Sequence, residues 1–241
     1  LYLVDPGLVS YDNPYYDSWY AQTVAHNTLV VDERPQRRAP GALVAWHQTD
    51  AYAIARARCD AAYPGVTFDR TLLLYDDTLV DVLRAVGDDA HTFDLPLHFS
   101  QALVVPSRTQ PVERLGTGAG YEHFTQPVQL LDRVDALYIE TAAGRRLHTA
   151  IHERSRGYYA RSPSETPQGT THTLLRRRRG NSATFVTSYH ALRNGERVPR
   201  IQLVYGTAPR IEFDKGSLEV GEPTVLTWQG ARMPLGPEGP L

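Results

Sequence analysis

The chain is poor in the residues that most often announce a mechanism. Cysteine occurs once, at Cys59, which excludes an intrachain disulfide and a thiolate zinc cluster. Lysine also occurs once, at Lys215, so positive charge rests almost wholly on arginine. The formal net charge is -2 over 241 residues, and no global positive field exists to draw in nucleic acid or a membrane. No apolar run approaches the ~20 residues that span a bilayer as a helix. No Gly-x-Ser-x-Gly elbow, P-loop or dinucleotide fingerprint is present. No segment keeps a 3.6-residue apolar period between caps, and the strand–helix alternation of a parallel sheet is missing.

What is there is strand signal. Hydrophobic residues make up 41% and aromatics 10%, enough to fill the core of one large β domain. Apolar or alternating runs predict strands over 28–32, 66–75, 78–86, 92–99, 128–131, 136–141, 145–151, 172–175, 183–189, 201–205, 210–213 and 223–228. Asp76-Asp77 reads as a tight hairpin. Gly87-Asp88-Asp89, Ala143-Gly144, Asn194-Gly195 and Lys215-Gly216 read as turns. Short strands with turns every ~8–15 residues predict an all-β protein, an antiparallel β-sandwich. The sandwich is expected over 1–232, with a flexible Pro/Gly-rich tail over 233–241. Segments 116–120 and 161–171 are expected to be mobile. Leu1-Tyr2-Leu3-Val4-Asp5 reads as the second half of a strand, so the domain is expected to begin upstream of Leu1.

The densest chemistry lies between Asp5 and Gln36. Asp5-Pro6-Gly7 ends a strand, and Ala25-His26-Asn27-Thr28 leads into the next. Between them a loop holds Tyr11, Tyr15, Tyr16, Trp19 and Tyr20, in a setting where polar residues are the norm. Aromatic faces stack on sugar rings and phenols bond sugar hydroxyls, so the loop reads as a carbohydrate-facing wall. It reads equally as a set of rings pinning a long loop to the sandwich. Asp5 and His26 are suitable zinc ligands by type, but zinc sites are usually four-coordinate and two ligands do not make one. Taken alone, His26 reads more readily as a hydrogen-bonded histidine at a strand start.

These same residues carry a resemblance. Leu3-Val4-Asp5-Pro6-Gly7, Trp19-Tyr20, then Thr23-Val24-Ala25-His26-Asn27-Thr28-Leu29-Val30-Val31-Asp32 and Gln36 resemble the heparinase II/III-like polysaccharide lyases. The likeness continues through Phe68-Asp69-Arg70-Thr71-Leu72-Leu73-Leu74, Leu79-Val80-Asp81-Val82 and His91-Thr92-Phe93-Asp94-Leu95-Pro96-Leu97-His98, and covers roughly 1–205. It implies a C-terminal β-sandwich that follows an N-terminal α/α toroid, the toroid being a partner within the parent protein. It implies β-elimination on an acidic polysaccharide such as alginate or a glycosaminoglycan, with a periplasmic or secreted location. It also implies a zinc ion held by Asp5, His26 and a histidine of an upstream His-x-His motif. On that basis no catalytic residue of the family falls in this chain. Tyr11, Tyr15, Tyr16 and Tyr20 are the candidates to reach the substrate.

The remaining candidates read more plainly. His148 and His152 are four apart, but on a strand that spacing separates them by ~13 Å, too far to share a metal. His98 is expected to be a satisfied core histidine. Arg176-Arg177-Arg178-Arg179 reads as a solvated strand edge, with contact to substrate carboxylates as the alternative. Asp69-Arg70 and Asp81-Arg84 read as cross-strand ion pairs on the hairpin, worth at most ~1 kcal/mol if exposed. Two functions compete: the β-sandwich part of a uronate-cleaving lyase, and a non-catalytic carbohydrate-binding or structural module. A zinc hydrolase would need a third ligand, an open coordination position and a general base beside Asp5 and His26, and no such base is visible.

Overall fold

The structure, a computed structural model, describes residues 3–104, 108–132, 136–140, 146–165, 169–192, 196–205 and 209–235. Sixteen strands form among them. The first five are β1 (Val30–Val31), β2 (Ala42–Gln48), β3 (Tyr52–Tyr63), β4 (Val66–Tyr75) and β5 (Thr78–Phe99). Then come β6 (Thr109–Pro111), β7 (Thr125–Leu130), β8 (Ala136–Glu140), β9 (Arg146–Ile151), β10 (Arg156–Pro163) and β11 (Thr170–Leu192). The last are β12 (Gln202–Val204), β13 (Arg210–Phe213), β14 (Gly216–Glu219), β15 (Thr224–Trp228) and β16 (Ala231–Leu235). Neighbouring strands pair antiparallel, and the described helical turns are short: Tyr16–Tyr20, Thr23–Ala25 and Tyr121–His123.

Two long strands organise the sandwich. β5 and β11 pair from His172 opposite Phe99 to His190 opposite Thr78. Midway the ladder breaks: Gly180 faces His91 and Ser182 faces Val86, so residues 87–90 bulge out. Gly180 sits at φ +146°, a conformation that side chains resist, and this frees β11 to turn there. On one side of the break the ladder carries β4, β3 and β2 beyond β5, and β9 and β8 beyond β11. On the other side it carries β1 beyond β5, and β10, β7 and β6 beyond β11. One hydrogen-bonded sheet is thereby folded into two layers. Gly87-Asp88-Asp89 is this bulge rather than a turn, which corrects the separate strands expected over 78–86 and 92–99.

The main core fills the space between the layers. Leu83, Ala85 and Phe185 of the first layer pack in one cluster with Phe93, Leu95, Leu97 and Leu174 of the second. Each of these Leu and Phe side chains contributes ~1.5–3 kcal/mol by leaving water. The outer face of the first layer is buried too. Val80, Val82, Leu73 and Val186 pack against Ile211, Phe213, Leu218 and Leu226 of a separate sheet, ordered β12-β13-β14-β15-β16. Burial of both faces explains why the first half of β5, 79–86, is mainly apolar on both faces rather than alternating. A third cluster, built on Trp19, Val24, Tyr121, Tyr158 and Leu175, lies on the outer face of the second layer.

Several expectations change. β2, β3 and β10 carry too much Ala, Arg, His and Gln for a strand signal, yet all three form. β10 and β11 claim both ends of the segment expected to be a loop over 161–171. The 116–120 stretch is tied down, because the Thr117 and Gly118 N–H groups donate to Glu33 Oε2. β16 runs to Leu235, beyond the expected domain end, and the rest of the expected tail lies outside the described residues. The expected turns at Ala143-Gly144 and Asn194-Gly195 also lie outside them.

The hairpin forms a cross-strand ion pair as expected, at Arg70–Asp81, whereas Asp69 pairs with Arg56 of β3. Arg70 grips Asp81 at 2.6 Å and Arg56 grips Asp69 at 3.1 Å, and both carboxylates are buried. Arg56 itself is fully buried and also reaches Glu222 at 2.6 Å and the Leu235 carbonyl at 2.9 Å, tying the first layer to the C-terminal sheet.

Candidate functional site

The chain enters beside the end of β5. Leu3 bridges Phe99, and the Val4 N–H donates to the His98 carbonyl at 2.9 Å. Asp5 follows at the lip of the sheet, largely exposed. Gly7 turns the chain at φ +109°, and a Cβ there would stand 2.8 Å from the Glu165 side chain. Glu165 returns the contact, its N–H donating to the Pro6 carbonyl at 2.9 Å.

His26 is held on both nitrogens. Its Nε2 lies 3.1 Å from the Tyr20 carbonyl and its Nδ1 lies 2.7 Å from Asp5 Oδ2. A carbonyl only accepts, so Nε2 carries a proton and Nδ1 is the atom presented to the carboxylate. Asn27 clamps the strand ends beneath this pair. Its Nδ2 donates to the Val4 carbonyl at 2.8 Å, and its Oδ1 accepts the His98 N–H at 2.7 Å. Gln36 closes the turn, its Nε2 donating to the Leu29 carbonyl at 3.0 Å and its N–H to Thr23 Oγ1 at 2.7 Å. His98 lies directly below, with Nε2 on the Val24 carbonyl at 3.0 Å and Nδ1 on Thr173 Oγ1 at 2.9 Å. Burial pushes it down to about 4, so it is neutral at pH 7. It is the satisfied core histidine expected from the sequence.

The aromatic loop divides in two. Trp19 is 0% exposed, its Nε1–H donating to the Pro163 carbonyl at 3.0 Å, with ring contacts to His98, His123 and Phe124. It presents no face to a ligand, so its expected place in a sugar-binding wall is replaced by a core role. Tyr20 is buried as well and donates to Glu165 Oε1 at 3.1 Å. Burial, then Glu165, pushes its phenol up to about 12, so it stays protonated. Tyr11 and Tyr15 are 85% and 49% exposed. Tyr16 is half-buried, with its ring 4.8 Å from that of Tyr11. The inward half of the loop is thus pinned to the sandwich, and the outward half leaves Tyr11 and Tyr15 open to solvent.

The structure brings Asp5 and His26 together and sets Tyr20 beside them. Among the described residues, no three His, Cys, Asp or Glu side chains converge as a metal site would require. His148 lies in β9, and His152 just beyond it is bonded through Nε2 to Ser188 Oγ at 2.8 Å. Asn27 and Glu165 were not singled out as site residues in the sequence. Their roles are long-range contacts that leave no local pattern, although Asn27 follows His26 directly.

Only the second half of the arginine run is a solvated edge: Arg178 and Arg179 lie past the last β10 partner, half-buried and exposed, whereas at Arg176 and Arg177 β11 is flanked by β5 and β10. There β11 is central, so Arg176 points between the layers and pairs with Glu153 at 3.1 Å, both fully buried. Arg177 points to the other face and grips Asp94 at 2.6 Å, which also accepts from the Tyr121 hydroxyl at 2.6 Å.

Comparison with known proteins agrees with this architecture. Over 130 residues the chain is 43% identical to an alginate lyase of Stenotrophomonas maltophilia, covering 44% of this chain and 17% of that protein. It is 32% identical over 126 residues to an exo-oligoalginate lyase of Saccharophagus degradans, with the same coverage of 44% and 17%. The chain thus matches about a sixth of either relative's length. Among solved structures, a heparan sulfate lyase of Pedobacter heparinus superposes with TM-score 0.64 at 14% identity, over 100% of this chain and 35% of that one. A heparinase III superposes with TM-score 0.65 at 10% identity, over 91% of this chain and 34% of that one. The family model described as Heparinase II/III-like, C-terminal, matches residues 2–204, ending where the small C-terminal sheet begins. The chain belongs to the heparinase II/III-like C-terminal family.

Proposed function

We propose that this chain is the β-sandwich part of a polysaccharide lyase that cleaves a uronate-containing glycan, alginate in the first place, by β-elimination. The observation that carries the reading is the placing of exposed Tyr11 and Tyr15 in the loop whose buried half is fastened beside the Asp5–His26 pair. The sequence likeness to two alginate lyases narrows the substrate. In the elimination a base removes the proton at C5 of the uronate. The C4–O bond then breaks as a C4=C5 double bond forms, and the leaving oxygen takes up a proton. Tyr11, Tyr15 and Tyr16 would orient sugar rings for this step. The base and the acid would come from the α/α toroid of the parent protein.

Asp5 and His26 suit a divalent cation. With Nε2 committed to the Tyr20 carbonyl, a neutral His26 points a lone pair at a carboxylate 2.7 Å away, and the two need a proton or a cation between them. Zinc fits this nitrogen-and-oxygen donor set, with the remaining protein ligand drawn from outside this chain. When bound it would serve as a tie between the strand entering at Leu3 and the aromatic loop.

The test is ultraviolet absorbance of the unsaturated uronate product, using the full-length parent on alginate, heparan sulfate, hyaluronan and chondroitin, with metal analysis alongside. Product from alginate and stoichiometric zinc lost in His26→Ala are expected. A folded, zinc-loaded protein inactive on all four would move the reading to a non-catalytic carbohydrate-binding or structural module.

A further inference from the structure

Well away from the Asp5–His26 pair, three cavities meet at one arginine. Cavities of about 350, 470 and 250 Å³ all have Arg154 in their walls. The smallest is walled by Arg154, Arg156, Arg177, Arg178 and Arg179. On β11, Arg179 lies seven residues from His172, which marks the Asp5 end of the ladder. The groove therefore opens roughly 20 Å along the strand from that end.

The charge here is uncompensated. Arg177 is committed to Asp94 and Glu33, and the buried Arg176 to Glu153. Glu153 is saturated, because Ser155 Oγ and the Val186 N–H also donate to it. Asp132, in the wall of the 350 Å³ cavity, is gripped by Arg108. Arg154, Arg156, Arg178 and Arg179 make no ion pair with any described carboxylate. Arg156 stands directly opposite Arg177 in the β10–β11 ladder; Asp94 and Glu33 answer the charge of Arg177, and that of Arg156 is left over. In a chain of net charge -2, four arginines without an ion pair, Arg178 donating only to the Arg154 carbonyl, stand around cavities that share Arg154 and form a local anion trap.

The groove also has an aromatic wall. Tyr205 is 55% exposed, and its hydroxyl accepts the Arg154 N–H at 3.0 Å, which fixes the ring at the edge of the 470 Å³ cavity. Gln129 and Gln202 add amides to the walls. Guanidinium forks bind carboxylates bidentately, and a tyrosine face with amides around it suits a sugar ring.

We propose that this arginine-lined groove is a second binding site for an acidic oligosaccharide. Uronate carboxylates would lie on Arg154, Arg156, Arg178 and Arg179, with one sugar face on Tyr205. The choice of a uronate rests on the function proposed above. Such a site holds a polymer at a distance from the point of cleavage.

Affinity electrophoresis of the full-length protein through gels with and without polymeric alginate tests this. The wild type is expected to be retarded by alginate, and by raised salt much less so. Arg154→Gln/Arg156→Gln/Arg179→Gln should lose most of that retardation, at least several-fold, with an unchanged melting temperature. If the triple variant melts early, Tyr205→Ala and Arg179→Gln singly serve instead, each expected to weaken retardation measurably. Retardation equal in wild type and variants overturns the proposal, as does an absence of retardation in the wild type. Arginine-dependent retardation by DNA or a neutral glucan of the same size, but not by alginate, also overturns it. The lyase assay is read in parallel on the wild type. Arginine-dependent retardation without lyase activity would remove the proposed function and leave this site standing.

Discussion

The second layer buries polar groups at both ends of its own stretch of the β5–β11 ladder, by opposite means. At the end beneath the aromatic loop the network is neutral: His98 with Thr173, Ser162 and Thr171, closed by the Val24 carbonyl. At the other end it is ionic: Arg176 with Glu153, and Arg177 with Asp94 and Tyr121. A neutral network can be covered by Trp19 and a folded loop because no charge loses its hydration. An ionic one is tolerable only while every charge keeps its partner. The first end can thus carry a variable loop, whereas the second is committed to fixed pairs.

Removing one partner should therefore hurt most at the ionic end. Glu153→Ala leaves Arg176 buried and unpaired and is expected to cost ~3–5 kcal/mol, read as a fall in the urea midpoint at unchanged slope. Glu153→Met with Arg176→Met should restore part of that loss, because neither charge is left unpaired while the Val186 N–H still lacks its acceptor. A double variant as unstable as the single would show that the pair specifies the fold and does not merely satisfy it.

The neutral end should respond to pH instead. His98 is held at about 4, below its ordinary 6.5, by burial. Between those values the unfolded chain binds a proton that the folded chain refuses. Stability contributed by the neutral imidazole is whole above pH ~6.5 and is lost as pH falls towards 4, by about 3 kcal/mol in all. His98→Gln should flatten that part of the pH–stability curve. An unchanged slope in the variant would place the acid sensitivity elsewhere.

How much of this was legible in the sequence differs along the same ladder. The hairpin 66–75 and 78–86 could be read because Val, Leu and Thr dominate it and Asp76-Asp77 closes it. Asp76 does adopt the left-handed conformation, at φ 46°. β3 and β10 could not be read. Arg56 and Arg58 look solvated in sequence, yet Arg56 is buried by partners 13 and 166 residues away. The first half of the arginine run failed for the same reason, since nothing local says that β11 is flanked on both sides at Arg176 and Arg177. Asp5 and His26 were legible as a pair only through the resemblance, their contact spanning 21 residues. The split of the aromatic loop was invisible, because alternation carries no information in an irregular segment.

A smaller effect separates the two arms of the ionic end. Tyr121 donates to Asp94, and burial followed by the Asp94 charge raises its phenol far above the ordinary range, so it never competes as an anion. Tyr121→Phe removes one hydrogen bond but leaves Arg177 on Asp94. The expected cost is ~1–2 kcal/mol, well below that of Glu153→Ala. Equal losses in thermal or urea unfolding would mean that Arg177 alone does not satisfy the carboxylate.

The smallest effect on stability is expected where the neutral end meets solvent. Tyr11 and Tyr15 are exposed, and their rings touch chiefly Tyr16 and His123. Tyr11→Ala and Tyr15→Ala should each shift unfolding by no more than ~0.5 kcal/mol. If the tyrosines orient sugar, the same variants in the full-length parent should raise KM for an acidic oligosaccharide while the fold is unmoved. A loss confined to kcat would instead give one phenol a part in proton transfer. No change in either parameter would assign these rings to the loop alone. The outward half of the loop would then owe its aromatic composition to packing against Tyr16 and His123, as the inward half owes its own to Trp19.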